Sequence, residues 1–580
     1  MTRKGYTIKR PYIRFTYFLP AGFHKSLVCS VVCLWLVTCV APAQSSVATY
    51  WIQFADKQFS PYSLDHPEAF LSDRAIERRH VQGIALDLLD LPVSPVYIDS
   101  LRSLGLTIIN RSKWFNAVTA VVPYPDLLYI IHELEFVSRI EKVRPGYLRK
   151  SLRNKLEPAD ASIPVQWNDP DYGLSAPQVM MMNGHFLHHL GYRGDNQRIA
   201  ILDAGFPGSD QLPLVDPVNS GSRIVSTYDF VHHIPEVYHS SPHGTHVFSI
   251  MGSFLPGQFT GTATGAEYLL LITEDATSEY LIEEDHWISA AEYADSAGAD
   301  VINTSLGYSL FDDPAQDHSY ADMNGGSARV SAGADIAVSK GMVVVVSAGN
   351  EGNTPWKYIT APADALNILA VGAVDANGVV APFSSRGPSF DGRVKPDVVA
   401  MGKNTVMLSV DGTVVTGSGT SYAAPLVTGL TACLRQAFPS VAAKDLIHAV
   451  RQSASHYASP DNLTGYGIPN FRLAYRILEK TQQETGTDPR ACIAYPNPFS
   501  GEVTLELYDG SGLLETEHGN ILLSVFSLTG EKIYEYSFVP DSHYMPLIKI
   551  SGLDSLSAGS YLISITTKHG TYHTKLVKIL

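Results

Sequence analysis

Residues 417–429 read GSGTSYAAPLVTG. Glycines crowd a pair of hydroxyl residues, Thr420 and Ser421, and the apolar run from 423 to 430 opens as a helix. Ser421 then stands at a helix N-terminus, where N–H groups without helical acceptors and the dipole favour negative charge. A serine so placed can be a nucleophile whose oxyanion meets donors already in position, or an N-cap on a core helix. The stretch alone leaves both open. Its surroundings decide the fold. From 172 to 480, short apolar strands (198–202, 268–272, 301–304, 342–347, 368–374) alternate with helical patterns (288–297, 332–340, 423–438, 444–453). That alternation predicts an α/β domain, a mostly parallel sheet flanked by helices. In such domains functional residues gather at the carboxyl ends of strands.

Three further signals fall at strand ends or helix starts. Asp203 closes the run RIAIL, although an acid after a parallel strand is common in nucleotide-binding folds too. His243 and His246 lie in HGTHV, where the alternatives are a base and a metal pair lacking a recognisable third ligand. Asn350 ends VVVVSAGN, where its side chain can donate to an oxyanion or cap a turn. Together, Asp203, His243 and Ser421 occur in the chain order of the subtilisin triad, unlike the Ser, Asp, His order of α/β-hydrolases. The nucleophile motif GTSYA also lacks the second glycine of the hydrolase elbow.

On the motifs IAILDAGF, HGTHV, ADVINTSLG, VVVVSAGNEG and GTSYAAP, residues 172–478 resemble the subtilisin-like serine peptidases. The resemblance implies that Ser421 is the acyl-forming nucleophile, His243 the general base and later acid, and Asp203 the group that orients the imidazole. It implies that Asn350 and the Ser421 N–H receive the oxyanion, and that Ser305, Leu306 and Gly307 pair with the substrate backbone as an added strand. No cofactor is required; relatives often hold structural calcium, and the acids of the insertion 309–329 (Asp312, Asp313, Asp317, Asp322) show no ligand spacing for it. Two departures stand out: Ala204 follows the acid, and Tyr422-Ala423-Ala424 follows the nucleophile where relatives have Met-Ala-Ser. The alternative is a catalytically silent surface or adhesion protein with this fold, which loss of a triad member or of Asn350 would favour.

The remaining chain sets the context. Of 580 residues, 45% are hydrophobic and 17% charged, enough for several cored domains. With 57 Asp and Glu against 42 Lys and Arg and no basic stripe, no nucleic-acid partner is expected. Residues 1–43 read as a signal peptide: Arg3, Lys4, Lys9, Arg10, Arg14 and Lys25 precede an apolar run at 27–40 and the site Ala41-Pro42-Ala43. That run is short of the roughly 20 residues a membrane span needs, so no span is expected in the mature chain. Only Cys433 and Cys492 lie beyond it, so neither a disulfide framework nor a cysteine zinc site is expected.

Residues 44–150 read as a small α+β unit with strands at 50–54, 106–109 and 117–122 and a helix at 127–134 behind Asp126 as N-cap. It resembles a subtilase inhibitory prodomain. Linkers are expected at 151–171 and 481–490. Residues 491–580 carry five short strands with turn punctuation, which predicts a β-sandwich. With YPNPF at 495–499 and GSYLI at 559–563, this end resembles the type IX secretion sorting domain of Bacteroidetes. The expectation is a precursor whose partners are protein or peptide substrates and the type IX secretion machinery, with the enzyme secreted or left on the cell surface.

Overall fold

The computed structural model describes residues 47–146, 159–160, 169–213, 223–484 and most of 492–579. The expected signal peptide and most of the linker at 151–171 lie outside the described residues. No described helix is long and apolar enough to cross a membrane.

The first unit runs β1 (Ala48–Phe54), α1 (Asp73–Val81), α2 (Pro95–Ser103), β2 (Thr107–Ser112), β3 (Ala117–Val122), α3 (Leu127–His132) and β4 (Val137–Arg144). Its four strands form one antiparallel sheet in the order β2-β3-β1-β4. The two-residue period of a strand divides β1 between two cores. Ile52 and Phe54 pack with Tyr97, Ile98 and Leu101 inside the unit, while Trp51 faces the core of the next domain. Asp126 does stand before α3, but it is itself helical and its side chain caps nothing.

The second domain begins with β5 (Arg198–Asp203), β6 (Ile224–Asp229), α4 (His243–Gly252), β7 (Glu267–Ile272), α5 (Ile282–Ser296) and β8 (Val301–Thr304). It continues with α6 (Arg329–Ser339), β9 (Val343–Ser347), β10 (Leu369–Val374) and β11 (Val398–Met401). After these come the hairpin strands β12 (Thr405–Leu408) and β13 (Val414–Gly417), then α7 (Thr420–Ala437), α8 (Ala443–Gln452) and α9 (Phe471–Glu484). Seven strands form a wholly parallel sheet in the order β11-β10-β9-β8-β5-β7-β6. The strand order reverses at β5, flanked by β7 and β8, and such a reversal opens a crevice at the carboxyl ends. Asp203 lies at that point, with Ser305 just past β8 and Asn350 just past β9. β9 is Val343–Ser347 with every residue buried, as a strand covered on both faces requires.

α9 reaches Glu484 and so occupies the first four residues of the expected linker at 481–490. Beyond it, the described residues of 492–579 form two four-stranded antiparallel sheets. Ala494, Val503 and Leu505 of one meet Leu523, Val525, Ile563 and Ile565 of the other, with Phe499 beside them, in a core separate from the peptidase-like domain. That is the expected sandwich.

Candidate active site

Three chain segments converge on the crevice. β5 ends in Asp203, which is fully buried and whose Oδ1 accepts the Ala204 N–H at 2.8 Å. α4 begins with His243, 1% exposed, whose Nδ1 lies 2.8 Å from the same Asp203 oxygen. Burial pushes the Asp203 carboxyl above its ordinary pKa, opposed by the charge and hydrogen bond of His243. Its Oδ2 is buried without a hydrogen-bond partner. An acid so placed fixes the imidazole tautomer through Nδ1 and leaves Nε2 as the working nitrogen.

The third segment is α7. It starts at Thr420, three residues before the sequence pattern predicts, so Ser421 is its second residue, inside the first turn whose N–H groups lack helical acceptors. Pro425, further along the helix, has no N–H to give the carbonyl four residues back, which is that of Ser421. The Ser305 hydroxyl supplies the missing donor at 2.8 Å, and the Ser421 hydroxyl contacts the Ser305 carbonyl at 3.2 Å. Asn303, on β8, braces this exchange by donating to Ser305 Oγ and accepting from Thr428 on α7. Leu306 is buried and Gly307 exposed beyond it.

Asn350 is oriented from the same helix. Its Oδ1 accepts both the backbone N–H of Thr420 at 2.9 Å and the Thr420 hydroxyl at 3.1 Å, which leaves Nδ2 as the outward donor. Gly349 makes the approach feasible: its φ is +102°, and a Cβ there would lie 2.8 Å from Ser385 Oγ and 2.9 Å from Thr360 Oγ1. Turn cap and oxyanion donor, separate alternatives in the sequence, are thus compatible in one amide.

Tyr422 is fully buried, with its ring centroid 5.7 Å from that of His243 and 6.4 Å from that of His246. It also covers Gly417, where a Cβ would stand 2.7 Å from the ring. Nothing in the local sequence announces this, because the ring's neighbours come from α4 and β13.

His246 does not join a metal group: among the described residues the one cluster of three close ligands is Glu274, Glu279 and Glu283, with carboxylate oxygens within 4.8 Å of one another. Three carboxylates are a donor set for a hard cation such as Ca²⁺. Part of it is in use, since Tyr308 donates to Glu274 and the Asp275 N–H reaches Glu283 at 3.3 Å. The acids of 309–329 are occupied locally instead. Asp312 accepts the Glu279 N–H, Asp317 that of Phe311, Asp313 that of Ala315 and Asp322 that of Ser319.

With this geometry in view, comparison with known proteins places residues 194–467 on the model of the subtilase family. These residues form a subtilase-family domain. Residues 49–158 match the peptidase S8 propeptide domain of Bacteroidota, and 493–579 match a secretion system C-terminal sorting domain. A thermostable alkaline protease of Halalkalibacterium halodurans is 26% identical over 345 residues, spanning 58% of this chain and 83% of that protein. Serine protease AprX of Bacillus subtilis is 26% identical over 370 residues, 59% and 75% of the two chains. The crystal structure of MycP1 with its N-terminal propeptide removed aligns at 24% identity and a TM-score of 0.40, over 52% of this subtilase and 96% of that chain. On the family models and these named relatives, the chain is a serine endopeptidase made with a propeptide and a sorting domain.

The propeptide docks on α5. Thirteen of the helix's fifteen residues are buried, acids included. Asp295 accepts from Arg79 at 2.8 Å and Lys113 at 2.8 Å, with Arg78 beside them, and these cations hold its carboxyl well below the ordinary range. Glu292 accepts the N–H groups of Lys113 and Trp114 and the hydroxyl of Ser112. Asn110 meets His286 at 2.9 Å, and Arg329 of the peptidase domain reaches Glu141 and stacks over Trp51.

Proposed function

We propose that this subtilase is a secreted endopeptidase that cleaves peptide bonds through an acyl-enzyme on Ser421. His243 takes the Ser421 proton as the hydroxyl attacks the scissile carbonyl, then returns a proton to the departing amine. Asp203 holds the ring and balances the imidazolium. The Asn350 carboxamide and the Ser421 N–H receive the oxyanion, and Ser305, Leu306 and Gly307 align the substrate backbone. The reading requires no metal. The sorting domain would engage the type IX secretion machinery and deliver the enzyme to the cell surface or beyond.

The observation that carries the reading is the buried 2.8 Å contact between His243 Nδ1 and Asp203 at the switch point where α7 presents Ser421. The test is a fluorophosphonate probe on the matured chain beside its Ser421→Ala variant. Labelling and peptide hydrolysis are expected in the parent and absent in the variant, since removing a subtilisin nucleophile costs roughly two millionfold in turnover. Unchanged labelling in the variant would refute the assignment.

A further inference from the structure

We propose that Tyr422 is a positioning residue for catalysis: the face of its ring stabilises the imidazolium that His243 becomes when it takes the Ser421 proton. The inference rests on His243 being the general base. Three observations lead to it. The ring is fully buried, so no water screens it, and its centroid lies 5.7 Å from the imidazole with the planes tilted by 35°. Cation–π attraction operates within about 6 Å of a ring centroid and strengthens where water is excluded. The ring is also closely backed, since Gly417 of β13 lies against it with no room for a Cβ, which would stand 2.7 Å from the ring.

The second imidazole at the ring does not compete. His246 is pushed down to about 4 by burial and by the His243 charge, so it stays neutral where a peptidase works. Of the two histidines against Tyr422, His243 is thus the one that gains charge during the reaction. The groups around it are Asp203 at the end of β5, with Glu274 acting on Asp203 through its charge, His246 on its own helix, and Ser421 and Tyr422 on α7. Asp203 balances the imidazolium in the plane of the ring through Nδ1. Tyr422 acts through a ring whose centroid is 5.7 Å away on α7, so the two contributions come from different groups and can be separated by mutation. A space-filling role would need only volume, and this distinction makes the proposal testable.

The experiment uses the full chain, matured, as parent, Tyr422→Phe and Tyr422→Leu. Rates are counted per site titrated with a fluorophosphonate, so that misfolded molecules do not enter. The acid limb of kcat/KM against pH reports the general base in the free enzyme. Phenylalanine keeps the ring face and should keep the limb. Leucine keeps most of the volume and removes the face; its limb should move down by about one pH unit. Its kcat should fall roughly tenfold with KM within about twofold. If the leucine variant does not fold, fluorinated phenylalanines at 422 weaken the face at nearly constant size, and the limb should fall with each fluorine. A limb that is the same with leucine, or flat across the fluorinated series, overturns the proposal. Loss of labelling in the parent chain overturns the nucleophile reading and this inference together, whereas labelling with an unmoved limb overturns this inference alone.

Discussion

At Asn350 one amide caps the start of α7 and, in the proposed mechanism, donates to the oxyanion, because Thr420 takes its oxygen and so turns its nitrogen outward. Asn350→Asp preserves the acceptor and removes the donor. It should therefore lower kcat by about 10²–10³ with little change in KM or melting temperature, read from steady-state kinetics and calorimetry. Ser305→Ala acts differently. It strips the donor from the Ser421 carbonyl opposite Pro425, and an unsatisfied buried carbonyl costs about 1–3 kcal/mol, visible as a lower melting temperature of the peptidase domain. Asp203, His243, Asn350 and Ser421 were legible in the sequence because each ends a strand or opens a helix within a short motif. The backing hydroxyl of Ser305 was not, since its partner lies 116 residues away. Tyr422 was visible as a departure, but its meaning depends on rings brought in by another helix.

Among the elements, α5 shows best where sequence patterning stops. Its first turn, Glu283-Glu284-Asp285, reads as a polar approach to a helix beginning at 288, yet the helix begins at Ile282. The acids are buried because distant segments cover them: His318 and the Val330 N–H meet Glu284, the Asp275 N–H meets Glu283, and Thr119 of the propeptide meets Asp285, and periodicity within one segment carries no trace of that cover. Asp295→Asn leaves Arg78 and Lys113 buried without their carboxylate and Arg79 with Asp90 alone. Docking should weaken by about 3–5 kcal/mol, so that cleaved propeptide separates from the peptidase on size-exclusion chromatography where the parent retains it. His286 adds a pH dependence. Burial lowers it to about 3 from an ordinary 6.5, so the docked state binds fewer protons than the separated one. Its contribution is full above about pH 6.5 and is lost as pH falls toward 3. Glu292, raised to about 7 by burial, acts in the opposite sense, favouring docking in acid. The readout is therefore a difference: retention of propeptide between pH 6.5 and 4 should fall less steeply in His286→Gln than in the parent.

For the molecule as a whole, the order of units was legible because each has its own grammar of periods and turns, alternating β and α in the middle and short strands with Gly turns at the end. The sandwich core is separate from the peptidase core, while Asn497 donates to the His189 carbonyl across the boundary at 2.7 Å. Deleting 491–580 should leave the peptidase melting transition within about 2 °C of the parent, measured by calorimetry. What joins propeptide to peptidase is different in kind, and it bears on timing. Once the propeptide leaves, α5 offers Asp285, Glu292 and Asp295 to solvent opposite a fragment that carries Arg74, Arg78, Arg79 and Lys113. Opposite charges on two free bodies speed their encounter, and salt slows it. An intact propeptide released in dilute medium would be recaptured faster than one released in brine, so the lag before activity should shorten as ionic strength rises.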